Sequence, residues 1–210
     1  MPVPDRPRPT FKFIGGELCL DFVNTIANYR DPARRYDKLT SYADLLAWAE
    51  RSGALTVTVV QHLAATSQRQ RDAAGTVLAE ACRLRAALYG IAVATAHHDS
   101  PDQHDLATLN GFVGPTLAHS RLETIDDGFH LVLAPDAAAL DGPLWPVVRS
   151  AIDLFTTGDL DRLRECAGDP CGWLFLDTSR GGQRRWCDMA DCGNLTKVRR
   201  FRARHTGSTG

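Results

Sequence analysis

Four cysteines constrain this chain more than any other feature. Cys166 and Cys171 form one Cys-x4-Cys pair, and after fifteen intervening residues Cys187 and Cys192 form another. Tetrahedral zinc needs four soft or borderline ligands at one point, and two short pairs from separate segments supply them with little strain. Ala167-Gly168-Asp169-Pro170, inside the first pair, is a run of turn formers. Between the pairs, Trp173–Thr178 and Gln183–Trp186 are β-prone and joined through Ser179–Gly182, the arrangement of a hairpin in a zinc ribbon. Two structural disulfides are the alternative, and compartment decides between them. No apolar run approaches the roughly 20 residues that span a bilayer, and the basic, proline-rich start leads into no signal-peptide core. A cytoplasmic address is expected, where thiols stay reduced and clustered cysteines favour metal. Four thiolates leave no open coordination position, so the expected Zn2+ is single and structural, not catalytic. Cys19 and Cys82 sit alone among apolar residues and read as inert core thiols.

Net charge is −1 but unevenly spread. From Thr178 to Thr206 eight arginines and lysines face only Asp188 and Asp191, a net of +6 that leaves −7 on the remainder. Asn194 suits the N-cap of a helix running to about Arg204. Leu195, Val198 and Phe201 can pack back on the ribbon, while Lys197, Arg200 and Arg204 form a cationic stripe flanked by Arg199 and Arg202. With Arg184 and Arg185 ahead of it, a metal-anchored basic helix suits phosphate contacts, and these seven residues are the candidate nucleic-acid-binding set. A solvated tail, or one paired with the acidic body, is the plainer alternative.

The preceding residues read as mainly helical with a small antiparallel sheet. Phe11–Ile14 reads as a short strand. Cys19, Phe22, Val23 and Ile26 recur at i, i+3, i+4 and i+7, which favours one helix over Glu17–Asn28. Ser41–Arg51, with Ser41 and Asp44 as a loose capping box and Gly53 as its stop, is a clearer helix. Thr56–Ser67, Asp72–His98, Gln103–His119 and Leu144–Thr157 follow, with Gly111 and Gly114-Pro115 as weak points. Arg121–Ile125 and Phe129–Leu133, joined by Asp126-Asp127-Gly128, form the one visible hairpin. The fold class is therefore an α+β body followed by a treble-clef or zinc-ribbon-like finger with four cysteine ligands. The expected division is a disordered leader over 1–10, a helical domain over 11–160, the finger over 161–206 and a flexible tail over 207–210.

The finger resembles the CGNR zinc-finger family through Cys166, Trp173-Leu-Phe-Leu-Asp177, Ser179, Arg185-Trp-Cys187, Met189 and Cys192-Gly-Asn194. Leu195 stands where the family name has its arginine. Gly15-Gly-Glu-Leu-Cys-Leu-Asp-Phe-Val-Asn-Thr25 resembles the opening signature of the ABATE domain, which commonly precedes such a finger. Members are regarded as stress-induced transcriptional regulators of bacteria. The resemblance implies DNA binding through the finger and a sensory or dimerising role for the body, with a small-molecule effector and a second copy of the chain as the other candidate partners.

Asp21, Asn24 and Asn28 at i, i+3 and i+7 form a polar row that could line a ligand pocket with Arg30, Arg34 or Arg35; a satisfied hydrogen-bond network is the commoner outcome. His97-His98-Asp99 reads as a helix-end cluster. Trp173 and Trp186 read as ribbon core. No nucleophile elbow, P-loop, His-Glu-x-x-His helix or dinucleotide fingerprint is present, which favours a non-enzyme. A DNA-binding regulator is the leading expectation. A protein-interaction adaptor with purely structural zinc comes second, and a small-molecule enzyme using Asp21 and Asn24 third.

Overall fold

Helix signals in the sequence translate directly into local structure. In a computed structural model, which describes residues 9–126, 128–133 and 139–206, Ser41 caps helix α2 (Tyr42–Arg51) by accepting from the Asp44 amide at 3.1 Å. The Asp44 carboxylate reaches back to the Thr40 amide at 3.0 Å, and Gly53 follows at φ +76°. Helix α1 (Leu18–Val23) precedes these. Helices α3 (Val57–Arg69), α4 (Arg71–Ala96), α5 (Gln103–Ala118) and α6 (Trp145–Thr157) complete the body. Helix α5 runs straight through Gly111 and Gly114-Pro115. On α4, Leu84, Leu88 and Ile91 are buried as their spacing predicts, while Leu78 and Cys82 are half-buried.

The expected leader and tail fall largely on residues 1–8 and 207–210, which lie outside the described residues, as do Asp127 of the hairpin turn and 134–138. Strands β3 (Ser120–Ile125) and β4 (Gly128–Leu133) pair antiparallel as anticipated.

Three expectations are corrected. Phe11–Ile14 joins no ladder; the Ile14 and Gly15 amides both bond the Asp21 carboxylate at 2.8 Å instead. Helix α1 stops at Val23 and does not reach Asn28. Asn24 leaves it to bond the distant Leu174 backbone, and Ile26–Ala27 becomes strand β1, paired with β2 (Tyr36–Asp37). The finger hairpin is β5 (Leu163–Glu165) with β6 (Leu174–Leu176), not Trp173–Thr178 with Gln183–Trp186. Burial decides this pairing: Leu163, Leu174 and Phe175 are all fully buried against the helices, whereas Gln183 and Arg185 stay exposed.

One contiguous core results. Phe22, Trp48, Leu84, Leu88 and Leu154 of the body pack in the same cluster as Leu163, Leu174 and Phe175 of the finger. At its edge is a half-buried ion pair invisible to sequence reading. Arg85 on α4 is 2% exposed, bonds both carboxylate oxygens of Asp37, and donates to Thr25 Oγ1 at 2.8 Å.

Candidate metal centre

The first cysteine pair sits at the turn of the β5–β6 hairpin and the second at the start of a helix. Cys166 follows β5 directly, and its amide donates to the Trp173 carbonyl at 2.7 Å, closing the knuckle. Gly168 lies where the chain grazes the sulfurs: a Cβ there would meet Cys192 Cβ at 2.9 Å and Sγ at 3.2 Å. Beyond the hairpin, Asp177 is fully buried and staples the connection, accepting from the Ser179 amide and hydroxyl and from the Arg184 amide. Burial opposes its ionisation, but these bonds outweigh burial and hold it below the usual carboxylate range.

Cys187 precedes, and Cys192 lies within, a short wide-pitched turn, Met189–Gly193, that runs into helix α7 (Asn194–Thr206). The cap is Asp188, whose carboxylate accepts from the Ala190 amide at 2.8 Å. Asn194, expected to be the cap, already has helical φ and ψ, and its side-chain amide donates to the Ala190 carbonyl. Capping at Asp188, six residues earlier, places Cys192 within helical backbone beside the cluster.

Ligand atoms of Cys166, Cys171, Cys187 and Cys192 all lie within 4.8 Å of one another. Cys187 Sγ is 3.6 Å from both Cys171 Sγ and Cys192 Sγ. Zinc–sulfur bonds of about 2.3 Å in a tetrahedron place sulfurs about 3.8 Å apart, so the donor set fits one zinc ion. All six cysteines are free, and 3.6 Å between sulfurs is far longer than the about 2.05 Å of a disulfide. Amides of Gly168 and Cys187 point at Cys166 Sγ at 3.4 and 3.3 Å, the outer-shell donors a thiolate needs. Neighbouring thiols lower the pKa of Cys166, and Cys166 in turn raises those of Cys171 and Cys187. Ionising all four thiols at this spacing would require a cation among them.

Two body lysines approach the cluster. Lys12 bonds both Asp188, at 2.9 Å, and Asp191, which raises its own pKa and lowers that of Asp188. Lys38 lies 4.8 Å over the Trp173 ring, and burial lowers its pKa. Both line a cleft of about 300 Å3 between body and finger, with Asn28, Trp173, Asp188 and Leu195. Four thiolates around a divalent ion would carry a net charge of −2, and with Asp188 and Asp191 beside them −4, of which Lys12 and Lys38 offset half. Sequence reading missed both. Their signal was rarity, since Lys12, Lys38 and Lys197 are the only lysines in an arginine-rich chain.

Family models match the body and the finger in turn. Residues 16–158 match ABATE, described as "Putative stress-induced transcription regulator", and residues 162–205 match the CGNR zinc finger. The chain belongs to the ABATE family and ends in a CGNR zinc finger. A search of curated proteins returns no match. No described helix is long and apolar enough to cross a membrane.

Within the CGNR finger the expected basic set divides by what each side chain already holds. Arg184 is half-buried: it donates to the Trp186 and Cys187 carbonyls and lies 4.3 Å over the Phe175 ring. It belongs to the finger's internal structure. Arg199 bonds the Asp169 carbonyl and, at 3.2 Å, its carboxylate. Arg185 is exposed over Trp186, and Arg202 is exposed with a partner of its own. Lys197 is exposed and unpaired among the described residues. Arg200 and Arg204 lie on α7, with side chains outside the described residues. Leu195 and Val198 do not pack back on the ribbon; they are 56% and 46% exposed.

In the ABATE domain the polar row Asp21, Asn24 and Asn28 is not brought together. Asp21 and Asn24 are absorbed by the backbone bonds described above. Asn28, at φ +58°, donates to the Arg34 carbonyl and is the one of the three that lines the cleft. Of the arginines placed beside that row, Arg30 shares the half-buried Glu165 with His97, at 2.9 and 2.7 Å. Trp173 is buried and donates to the Ile26 carbonyl at 2.6 Å.

Proposed function

We propose that the chain is a non-enzymatic, cytoplasmic regulator of bacterial stress transcription that contacts DNA through the basic residues of α7, with the ABATE domain sensing an effector or dimerising. One observation carries this reading. Cys187 and Cys192 lie just ahead of α7, and Lys12 pairs with both Asp188 and Asp191, the only acids in the +6 segment, offsetting one of their two charges. The helix therefore projects cationic charge from a rigid base, which suits phosphate contacts. Lys197, Arg185, Arg200, Arg202 and Arg204 are the contacting groups, and Arg184 and Arg199 hold the finger in shape.

Gel-shift titration of the zinc-loaded chain against its own promoter region, at several salt concentrations, tests this. Affinity should fall steeply with salt. Binding without salt dependence, or no binding, would overturn it. The protein-interaction adaptor remains the second reading, favoured by the exposed Leu195 and Val198 on the same helix. It predicts that Arg200→Glu with Arg204→Glu leaves activity intact.

A further inference from the structure

The β3–β4 hairpin is a two-stranded sheet with no third strand among the described residues. A lone hairpin of this size is marginal in water. It carries the two most exposed large apolar side chains among the described residues, Phe129 at 80% and Leu122 at 70%. Register puts them on one face: Leu122 opposes Leu131 and Thr124 opposes Phe129, two residues apart along each strand.

That register also shows which backbone groups are open. Ile125 opposes Gly128 across a two-residue loop, so this pair exchanges ladder bonds and alternate pairs do not. Leu122 and Leu131 therefore turn their backbone groups outward. On β4 the outward group is covered, since the Leu131 carbonyl accepts from Arg149 at 3.3 Å. On β3 the N–H and C=O of Leu122 face away from the hairpin with no strand beside them among the described residues, an edge of the kind proteins pair or blunt.

Charge on β3 selects the occupant of that edge. Arg121 and Glu123 flank Leu122 and already attract within one strand, at 2.6 Å. Laid antiparallel against an identical strand with Leu122 opposite Leu122, Arg121 opposes Glu123 of the second copy, and the two-fold axis repeats that pair. A shift of one residue in pairing centre sets Arg121 against Arg121 or Glu123 against Glu123, which is unfavourable. Among these three registers, only the one centred on Leu122 uses the outward backbone groups with matched charges. We propose that two copies of this chain dimerise by pairing their β3 edges antiparallel about Leu122, making a four-stranded sheet.

This deepens the dimerising role given to the ABATE domain and involves no DNA, so its failure leaves the DNA-binding reading untouched. Sedimentation velocity of the full zinc-loaded chain over a wide concentration range tests it, with circular dichroism and zinc content confirming that each variant is folded. A monomer–dimer equilibrium is expected. Arg121→Glu or Glu123→Arg alone should weaken it about tenfold or more, because each change spoils two symmetric pairs. The double exchange should restore it. Leu122→Lys, at an exposed position, should leave a folded monomer. A chain that stays monomeric overturns the proposal. So does a dimer indifferent to the single reversals, or one that the double exchange fails to rescue.

Discussion

Asn24 holds Leu174 by two reciprocal hydrogen bonds, its amide donating to the Leu174 carbonyl at 2.8 Å and its oxygen accepting from the Leu174 amide at 2.9 Å. Both residues are buried. A side chain from the ABATE opening signature thus acts as an extra strand residue beside the first hairpin of the CGNR finger. Asn24→Ala would leave a buried N–H and C=O unpaired, at about 2–4 kcal/mol. Thermal denaturation should show a lower midpoint with body and finger still melting together. Two separate transitions in the parent chain would contradict the shared core.

Removing zinc should affect more than the tail. Cys187→Ser deletes a ligand 2% exposed at the centre of the cluster, and structural zinc contributes directly to folding. Because Leu163, Leu174 and Phe175 share the body's core, chelation should lower the melting midpoint of the whole chain. One zinc per chain should be found by elemental analysis, and Cys82→Ser should leave that ratio unchanged.

Arg85 and Asp37 form an ion pair whose two halves are unequally buried, 2% and 33% exposed. Asp37→Ala strands a guanidinium 2% exposed, an expected loss of about 3 kcal/mol; Arg85→Met with Asp37→Leu should lose much less, since no charge is left uncompensated. Denaturant unfolding of the single and double variants measures the difference.

Asp21 should give stability an acid-side slope. Burial pushes its carboxyl up to about 6 despite two backbone bonds. A folded pKa above the unfolded value near 3.9 means the contribution is complete below about pH 4 and is lost as pH rises through 6. Asp21→Asn keeps the Oδ1 acceptor that serves both Ile14 and Gly15. It should flatten the pH dependence in that window and gain roughly 1–3 kcal/mol at neutral pH relative to the parent. Carboxyl chemical shifts against pH report the titration directly.

Lys197→Ala should reduce DNA affinity and make the salt dependence shallower by about one counterion, with melting unchanged, since Lys197 is exposed and unpaired among the described residues. Arg184→Ala should lower stability first, because Arg184 caps the Trp186 and Cys187 carbonyls.

Chain-local physics made much of this legible. The spacing of Cys166, Cys171, Cys187 and Cys192 specifies a metal cluster, because short loops bring paired thiols together whatever surrounds them. Ser41 with Asp44, and the run of Leu84, Leu88 and Ile91, specify helices through caps and period, both settled within a few residues. What lay beyond reach were competitions between distant segments. Leu174–Leu176 pairs with Leu163–Glu165 because that choice buries Leu163 and Phe175, a gain that exists only once the helices are assembled. Asn24 ends α1 to bond a backbone 150 positions away. Arg184, which reads as a phosphate contact, is spent on finger carbonyls, and Lys12, which reads as part of a short strand, pairs with the acids beside the cysteine cluster. By itself the sequence determined the ligands and the helical segments. Tertiary structure alone decided which polar groups were left for function, because a side chain's availability depends on neighbours supplied by the whole fold.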